Sequence, residues 1–495
     1  MSDHPNILWL NTDQQMFANR PGAARELPLQ TRLAARGMNF RRAYTVLPIC
    51  SPARASMLTG LYPHNHGLTE NDGRFGGRAG LEPSDPFVTD PLRERGYRCA
   101  WFGKWHLNQE QDARAFGFEG YAPADYAYPY ASADYRAYLE RNALPDPMAR
   151  IELSGESGTL PGTRVTLTSA EDWFDFEAGS AILEGPVETH ESFFVAELAE
   201  RWLRDPGDGP FFMRVDTWGP HPPYLVGAPF AGMFADLMSA VSPNLVSDLK
   251  ERPAHHTAYR DHWQDILDEG ARDFALLSRR ALQSAALCET ALVRLLDVLE
   301  DGGRIDDTIV VFTADHGDAV ASNGGMMNKG GLMVEETLRI PMLIAGPGIP
   351  PGSNDSLVCN IDVAPTLLDL CGITAREMDG TSLRPLLRRT GPLPRDGLMT
   401  EHYGLKTPLW QRAFHKGHWK LVVQDDGFTE LYDLACDPAE MNNLADSAIH
   451  AGTLREMRSG LAKALTRYGD DSASAMAFRD AVLSDATPFP RRHPG

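Results

Sequence analysis

The 495-residue chain is short of cysteine, of positive charge and of long apolar runs, and each shortage excludes something. Its six cysteines, Cys50, Cys99, Cys288, Cys359, Cys371 and Cys436, are widely spaced and form neither a disulfide framework nor a zinc pattern. Most read as small buried hydrophobes in a reducing compartment, so a cytoplasmic protein is expected. Asp and Glu total 67 against 47 Lys and Arg, a formal net charge of −20 that argues against nucleic-acid and anionic-membrane partners. No run approaches the ~20 apolar residues that span a bilayer. The polar start, Met1 to Pro5, leads directly into an apolar run, so no signal peptide is expected. Internal repeats and low-complexity tracts are also missing.

What is present is ordinary globular sequence, 43% hydrophobic and 23% charged, with ample material for a large core. Near-continuous apolar runs at Asn6 to Thr12, Arg98 to Phe102, Pro210 to Val215, Thr308 to Thr313 and Pro341 to Ala345 read as buried strands. Helical patterns lie between them: Leu29 to Arg36 ended by Gly37, Ser192 to Leu203, Asp273 to Glu300, and Asp362 to Leu370 with a capping aspartate. This alternation predicts an α/β fold with a mostly parallel central sheet flanked by helices. Two stretches, about 119–190 and 222–270, lack clear period and are expected to be irregular insertions that shape the substrate site. After about residue 390 short strands (Leu398 to His402, Ala413 to Val423, Glu430 to Leu434) and a helix near Thr453 to Tyr468 predict a smaller antiparallel subdomain. The expected division is therefore a catalytic domain over 1–390 and a C-terminal subdomain over 391–495.

The stretch Cys50-Ser51-Pro52-Ala53-Arg54, continuing to Thr59-Gly60, reads as a helix start, with Ser51 capping, Pro52 in the first position and Gly60 closing the end. Cys50 then sits at a helix mouth, where free N–H groups favour negative charge, and Arg54 adds a fixed cation one turn on. Such a cysteine suits either a thiolate or a modified group that meets anions.

Several strands end in residues that bind metals or move protons, and ligands of parallel sheets bind outside those strand ends. Singly, Asp13, His106, His221 or the Asp315-His316 pair has a bland reading as a turn, cap or structural residue. Together they suggest one divalent-metal site: Asp13 and Asp315 as anionic oxygens, Gln14 as an amide oxygen and His316 as an imidazole. The oxygens suit Ca2+, and the imidazole leaves Mn2+ as the alternative. Arg54, Lys104, His106, His221 and Lys329 around that metal would bind a tetrahedral oxyanion. His64 and His66, in a turn-rich loop, read as structural or rim residues.

The Cys50 to Gly60 stretch resembles the signature of the type I sulfatases, members of the alkaline-phosphatase-like superfamily. Similar pieces follow in the family's order: Gly103-Lys104-Trp105-His106, Pro220-His221-Pro222-Pro223, Asp315-His316-Gly317-Asp318, Lys329 ahead of Glu335-Glu336, and Glu430-Leu431-Tyr432-Asp433. The resemblance implies a sulfuric ester hydrolase acting on an aryl or small alkyl sulfate ester. It further implies that a maturation enzyme oxidises Cys50 to formylglycine, whose hydrate binds the metal and attacks sulfur. Asp315 and Arg54 would then activate and stabilise that oxygen. Lys104, His221 and Lys329 would hold the sulfate and help the alcohol leave, and His106 would take a proton from the second hydroxyl so that sulfate is expelled.

Two departures matter. Asp13-Gln14 and Asp315-His316 replace the Asp-Asp and Asp-Asn pairs of many sulfatases and resemble choline-sulfatase-like members and phosphonate monoester hydrolases. A phosphonate monoester or phosphodiester hydrolase is therefore the alternative reading, although the Lys104/His106 pair favours a sulfatase. A non-catalytic binding protein on the same fold is the third reading, and the complete charged set argues against it. An oligomer is compatible with the sequence, which does not specify one.

Overall fold

The structure, a computed structural model, describes residues 4–17, 27–153, 161–168, 179–237, 241–266, 273–374, 377–404 and 408–484. Residues 1–3 of the polar start, and 154–160, 169–178, 238–240 and 267–270 of the two expected insertions, lie outside them.

The first apolar run is a strand, Asn6–Thr12 (β1), buried throughout after Asn6. It lies inside an eight-stranded sheet with Gly37–Phe40 (β2), Arg98–Gly103 (β3), Glu119–Tyr121 (β4), Phe211–Asp216 (β5), Thr308–Ala314 (β6), Met342–Ala345 (β7) and Gly352–Asn354 (β8). The spatial order is β8-β2-β7-β6-β1-β5-β3-β4. The five strands from β6 to β4 run parallel, whereas β7 is antiparallel to both its neighbours. The expected α/β architecture with a mostly parallel sheet is thus what forms.

Both sheet faces are buried, as parallel strands require, and alternate residues serve opposite layers. Ile7 and Trp9 face a layer that includes Ala55, Met57 and Leu58 of the helix Cys50–Thr59, while Leu8 and Leu10 face Leu292, Leu295 and Leu299 of the long helix Phe274–Asp301. The parallel register sets Thr12 beside Ala314, Asn11 beside Asp216, and Gly103 beside Asp216. The polar residues that follow β1, β3, β5 and β6 therefore emerge along one edge.

Four local expectations fail for physical reasons. Gly37 does not end a helix but starts β2, where a Cβ would fall 2.3 Å from the Ile344 carbonyl oxygen. The Cys50 helix is capped by extended Ile49 with no side-chain cap, and Cys50 itself is the first helical residue; Ser51 donates its backbone N–H to Asn71 Oδ1 (3.0 Å). Asp362 accepts from Cys359 and Thr381 backbone N–H groups (both 2.8 Å) instead of capping Val363–Leu370. The stretches expected to be irregular hold a second four-stranded sheet, Tyr224–Gly227, Ser180–Glu184, Met148–Leu153 and Arg164–Thr166, and a helix, Ala254–Ile266. Those strands are short and distant in sequence, so their periodicity is weak and their partners invisible until the chain folds.

Near the C-terminus Leu398–His402 (β9), Gln411–Lys416 (β10), Trp419–Gln424 (β11) and Thr429–Asp433 (β12) form an antiparallel meander. The single run expected over Ala413 to Val423 divides at Gly417, whose φ of +57° admits a tight turn. Helices Ala451–Tyr468 and Ala473–Leu483 complete this part. Among the described residues no helix is long and apolar enough to cross a membrane.

Candidate active site

Asp13 follows β1, Asp315 and His316 follow β6, and Cys50 opens its helix. Their ligand atoms lie within 4.8 Å of one another, and all four side chains are buried. Cys50 Sγ is 3.3 Å from His316 Nε2 and 3.9 Å from Asp13 Oδ1. His316 Nδ1 donates to the Gly317 carbonyl (2.9 Å), so in the neutral ring it is Nε2, facing the cluster, that carries the lone pair. The fifth expected ligand, Gln14, enters through a backbone N–H donated to Asp315 Oδ1 (3.0 Å). Its amide oxygen accepts from Lys329 Nζ (2.7 Å).

Two buried carboxylates and an imidazole aimed at one point are a hard-cation donor set, so the residues present fit a divalent metal. The same convergence explains the electrostatics. Burial alone would raise the Asp13 carboxyl, but Lys104, then His221, Arg54 and His316, hold it well below the usual carboxylate range. Burial would likewise raise the Cys50 thiol, and Lys104 and Lys329 bring it below its ordinary value. Burial would lower His316, which Asp315 and Cys50 raise.

Arg54 is fully buried and has little freedom. Its Nε donates to Asp315 Oδ2 (3.0 Å), and Nη1 donates to Asp216 Oδ1 (3.2 Å) and to the Lys104 carbonyl (3.0 Å). Arg214 grips the same Asp216 through two bonds (2.8 and 3.1 Å), with its guanidinium 4.7 and 4.5 Å from the ring centres of Trp9 and Trp101. The chain Arg214–Asp216–Arg54–Asp315 thus links two strand ends to the Cys50 helix without leaving any of these charges alone.

Lys104 ion-pairs with Asp13, and its Nζ lies 3.9 Å from the ring centre of Tyr126. That ring also meets His106 and His221 edge-on, at 5.2 and 5.6 Å. His221 Nδ1 donates to the Pro222 carbonyl (2.7 Å), so its Nε2 accepts from Lys329 Nζ (2.9 Å). Burial first, then the nearby lysines, hold His106 and His221 well below their ordinary range, so both are neutral bases. All the expected site residues therefore gather at one edge of the sheet.

His64 and His66 stand apart from this cluster. His64 binds Glu401 (2.5 Å) and the Tyr468 carbonyl, and His66 binds Ser56 Oγ (3.0 Å). Sequence reasoning missed Asp216, Arg214 and Tyr126. Asp216 ends a strand as Asp13 and Asp315 do, so the same signal was there to find it. Tyr126 lies in the segment read as irregular and carries no local signal.

An α/β sheet whose strand ends converge on a cysteine at a helix mouth, with carboxylates, lysines and neutral histidines, is suited to hydrolysis at an oxyanion centre. The model of the sulfatase family matches residues 5–373, and one for the C-terminal part of N-sulphoglucosamine sulphohydrolase matches residues 324–467. The chain belongs to the sulfatase family and is a sulfatase enzyme. It is 29% identical to a choline-sulfatase of Rhizobium meliloti over 476 residues, covering 90% of this chain and 83% of the relative. An N-acetylglucosamine-6-O-sulfatase of Bacteroides thetaiotaomicron is 25% identical over 503 residues, covering 94% of this chain and 87% of the relative. Among solved structures, the phosphonate monoester hydrolase of Agrobacterium radiobacter shares the fold with a TM-score of 0.71 at 22% identity, covering 94% of this chain and 96% of that one.

Proposed function

We propose that the protein hydrolyses a small sulfate ester, with Cys50 as the precursor of a formylglycine nucleophile. The observation that carries this reading is the burial of Cys50 Sγ among Asp13, Asp315 and His316, beneath two lysines. A thiolate nucleophile has no use for a hard-cation donor set, whereas an oxygen nucleophile does. Formylglycine, when present, supplies a hydrated aldehyde whose second hydroxyl permits elimination of the product. A divalent cation would be held by Asp13, Asp315 and His316, with the Gln14 amide oxygen, which also accepts from Lys329, as the fourth expected ligand. Ca2+ is favoured by the oxygens, Mn2+ is the alternative, and the ion would supply Lewis acidity to the nucleophilic oxygen.

The chain's own side chains account for the rest. Lys104 and Lys329 provide ammonium donors for the sulfate oxygens. Lys329 donates to His221 Nε2 (2.9 Å), so the pair shares one proton beside the sulfate that it can give to the departing alkoxide. His106, buried and neutral, is the base. Arg54 anchors Asp315 and orients its carboxylate. The reading carries with it a maturation enzyme acting on Cys50 and a reducing, cytoplasmic setting, which the free cysteines support.

The second reading is hydrolysis of phosphonate monoesters or phosphodiesters at the same site; it draws support from Gln14 and His316 at the metal. Two measurements on the protein co-expressed with a formylglycine-generating enzyme test the proposal. Mass spectrometry of the Cys50 peptide should show the aldehyde, and kcat/KM for 4-nitrophenyl sulfate should exceed that for 4-nitrophenyl phenylphosphonate. An unmodified thiol in active enzyme would remove the nucleophile, and faster phosphonate turnover would move the protein to the second reading.

A further inference from the structure

Lys329 sits in an unusual stretch of backbone. Asn328 and Gly330 both have positive φ (+63° and +39°), and a Cβ on Gly330 would lie 2.2 Å from the Tyr259 ring. A loop bent this way needs outside support. Two histidines that belong to neither the metal cluster nor the sulfate-facing set supply it. His402 Nε2 donates to the Gly330 carbonyl (2.9 Å), and His255 Nε2 donates to the Gly331 carbonyl (3.0 Å). His402 comes from the last residue of β9 in the C-terminal meander, and His255 from the helix Ala254–Ile266. The tautomer of His402 is fixed, because its Nδ1 accepts the Gly404 backbone N–H (2.8 Å) and the proton must then sit on Nε2. Burial holds its protonation down at about 4, so this one-proton form persists through the neutral range.

We propose that His402 and His255 are positioning residues for Lys329, gripping the two carbonyls that follow it so that its ammonium stays on Gln14 and His221. The C-terminal meander would then complete the active site without touching substrate. The inference rests on the reading of Lys329 as a sulfate-facing group. A lysine on a four-carbon stem is placed mainly by its backbone, and a misplacement of about 1 Å at a reacting centre costs about 100-fold in rate.

The test uses the full-length, formylglycine-matured enzyme and 4-nitrophenyl sulfate. His402→Asn keeps an acceptor near Gly404 and loses the donor to Gly330; His402→Gln restores a donor at the Nε2 position. H402N should lower kcat by about 10- to 100-fold with a smaller change in KM, and H402Q should recover most of that loss. In a Lys329→Ala background H402N should cost less than about twofold more, because residues acting through one another are not additive. The same cycle with His255→Ala provides the answer if H402N does not fold. Equal losses in H402N and H402Q, or full additivity with an impaired K329A in the folded variants, would overturn the grip. K329A with wild-type turnover would instead overturn the assignment of Lys329, and the grip with it.

Discussion

Arg54 Nε donates to Asp315 Oδ2 at 3.0 Å, with both side chains 0% exposed, and this bond ties the Cys50 helix to the end of β6. Two strand ends and a helix mouth are registered by it, since Arg54 also holds Asp216 and the Lys104 carbonyl. A lysine at this position keeps the charge but has no planar fork to serve three acceptors. Arg54→Lys is expected to lower kcat/KM by about 100-fold or more, a loss typical of a misaligned charge-stabilising site. Arg54→Ala leaves Asp315 and Asp216 short of a partner in the core, and a loss of about 3–5 kcal/mol of unfolding free energy is expected by urea titration. A variant with ordinary stability and wild-type kinetics would show that the bridge is dispensable.

Asp13, Asp315 and His316 converge without an exposed face, so a bound cation would relieve repulsion between carboxylates that the unfolded chain keeps apart. Removal of metal with a chelator is expected to lower the thermal midpoint, and Ca2+ or Mn2+ should restore it. At a free metal concentration about 100 times Kd the gain is about 2.7 kcal/mol. The comparison is best made on Cys50→Ala protein, where turnover cannot obscure binding, and Asp13→Asn should abolish the response. A midpoint indifferent to chelator and to both ions would exclude a metal at this cluster.

His64 joins the Cys50 side of the molecule to the C-terminal part through Glu401 and the Tyr468 carbonyl. Burial alone would lower this imidazolium, but Glu401, helped by the carbonyl bond and Asp470, raises it to about 9. The unfolded histidine titrates near 6.5. Below that value both states are protonated and the stabilisation is complete. As pH rises, the unfolded state releases its proton first, and the advantage disappears by about pH 9. Stability should therefore decline between about pH 6.5 and 9, by on the order of 3 kcal/mol for a shift of this size. His64→Gln should flatten that limb of a stability–pH curve; an unchanged slope would show that other groups set it.

Most of the sheet was legible because its strands are buried on both faces. Asn6–Thr12 and Thr308–Ala314 are apolar runs of a kind that few other structures produce, and the observed strands match them closely. The sheet of Tyr224–Gly227, Ser180–Glu184, Met148–Leu153 and Arg164–Thr166 was not legible. Its strands are three to six residues long, and two of its three pairings join segments about 30 to 44 residues apart, so the partners are not visible locally. The caps failed for a related reason: the helix starts at Cys50, one residue ahead of Ser51, and Asp362 is taken by the Cys359 and Thr381 backbone N–H groups instead.

The sequence by itself determined the family and the residue types of the site. Cysteine with arginine one turn on, acids and histidines at strand ends, and lysines in the right order name the residue types that an oxyanion site needs. Those signals are local and survive without knowledge of packing. Only the tertiary structure decided how the charges are shared. It put Gln14 on Lys329, gave Arg54 to Asp315 and Asp216, set Tyr126 over Lys104, and brought His402 and His255 to the loop that carries Lys329. Each of those pairings is a choice among many possible partners for a long polar side chain. Buried polar groups must find some partner, but which one depends on the register of strands far apart in the chain.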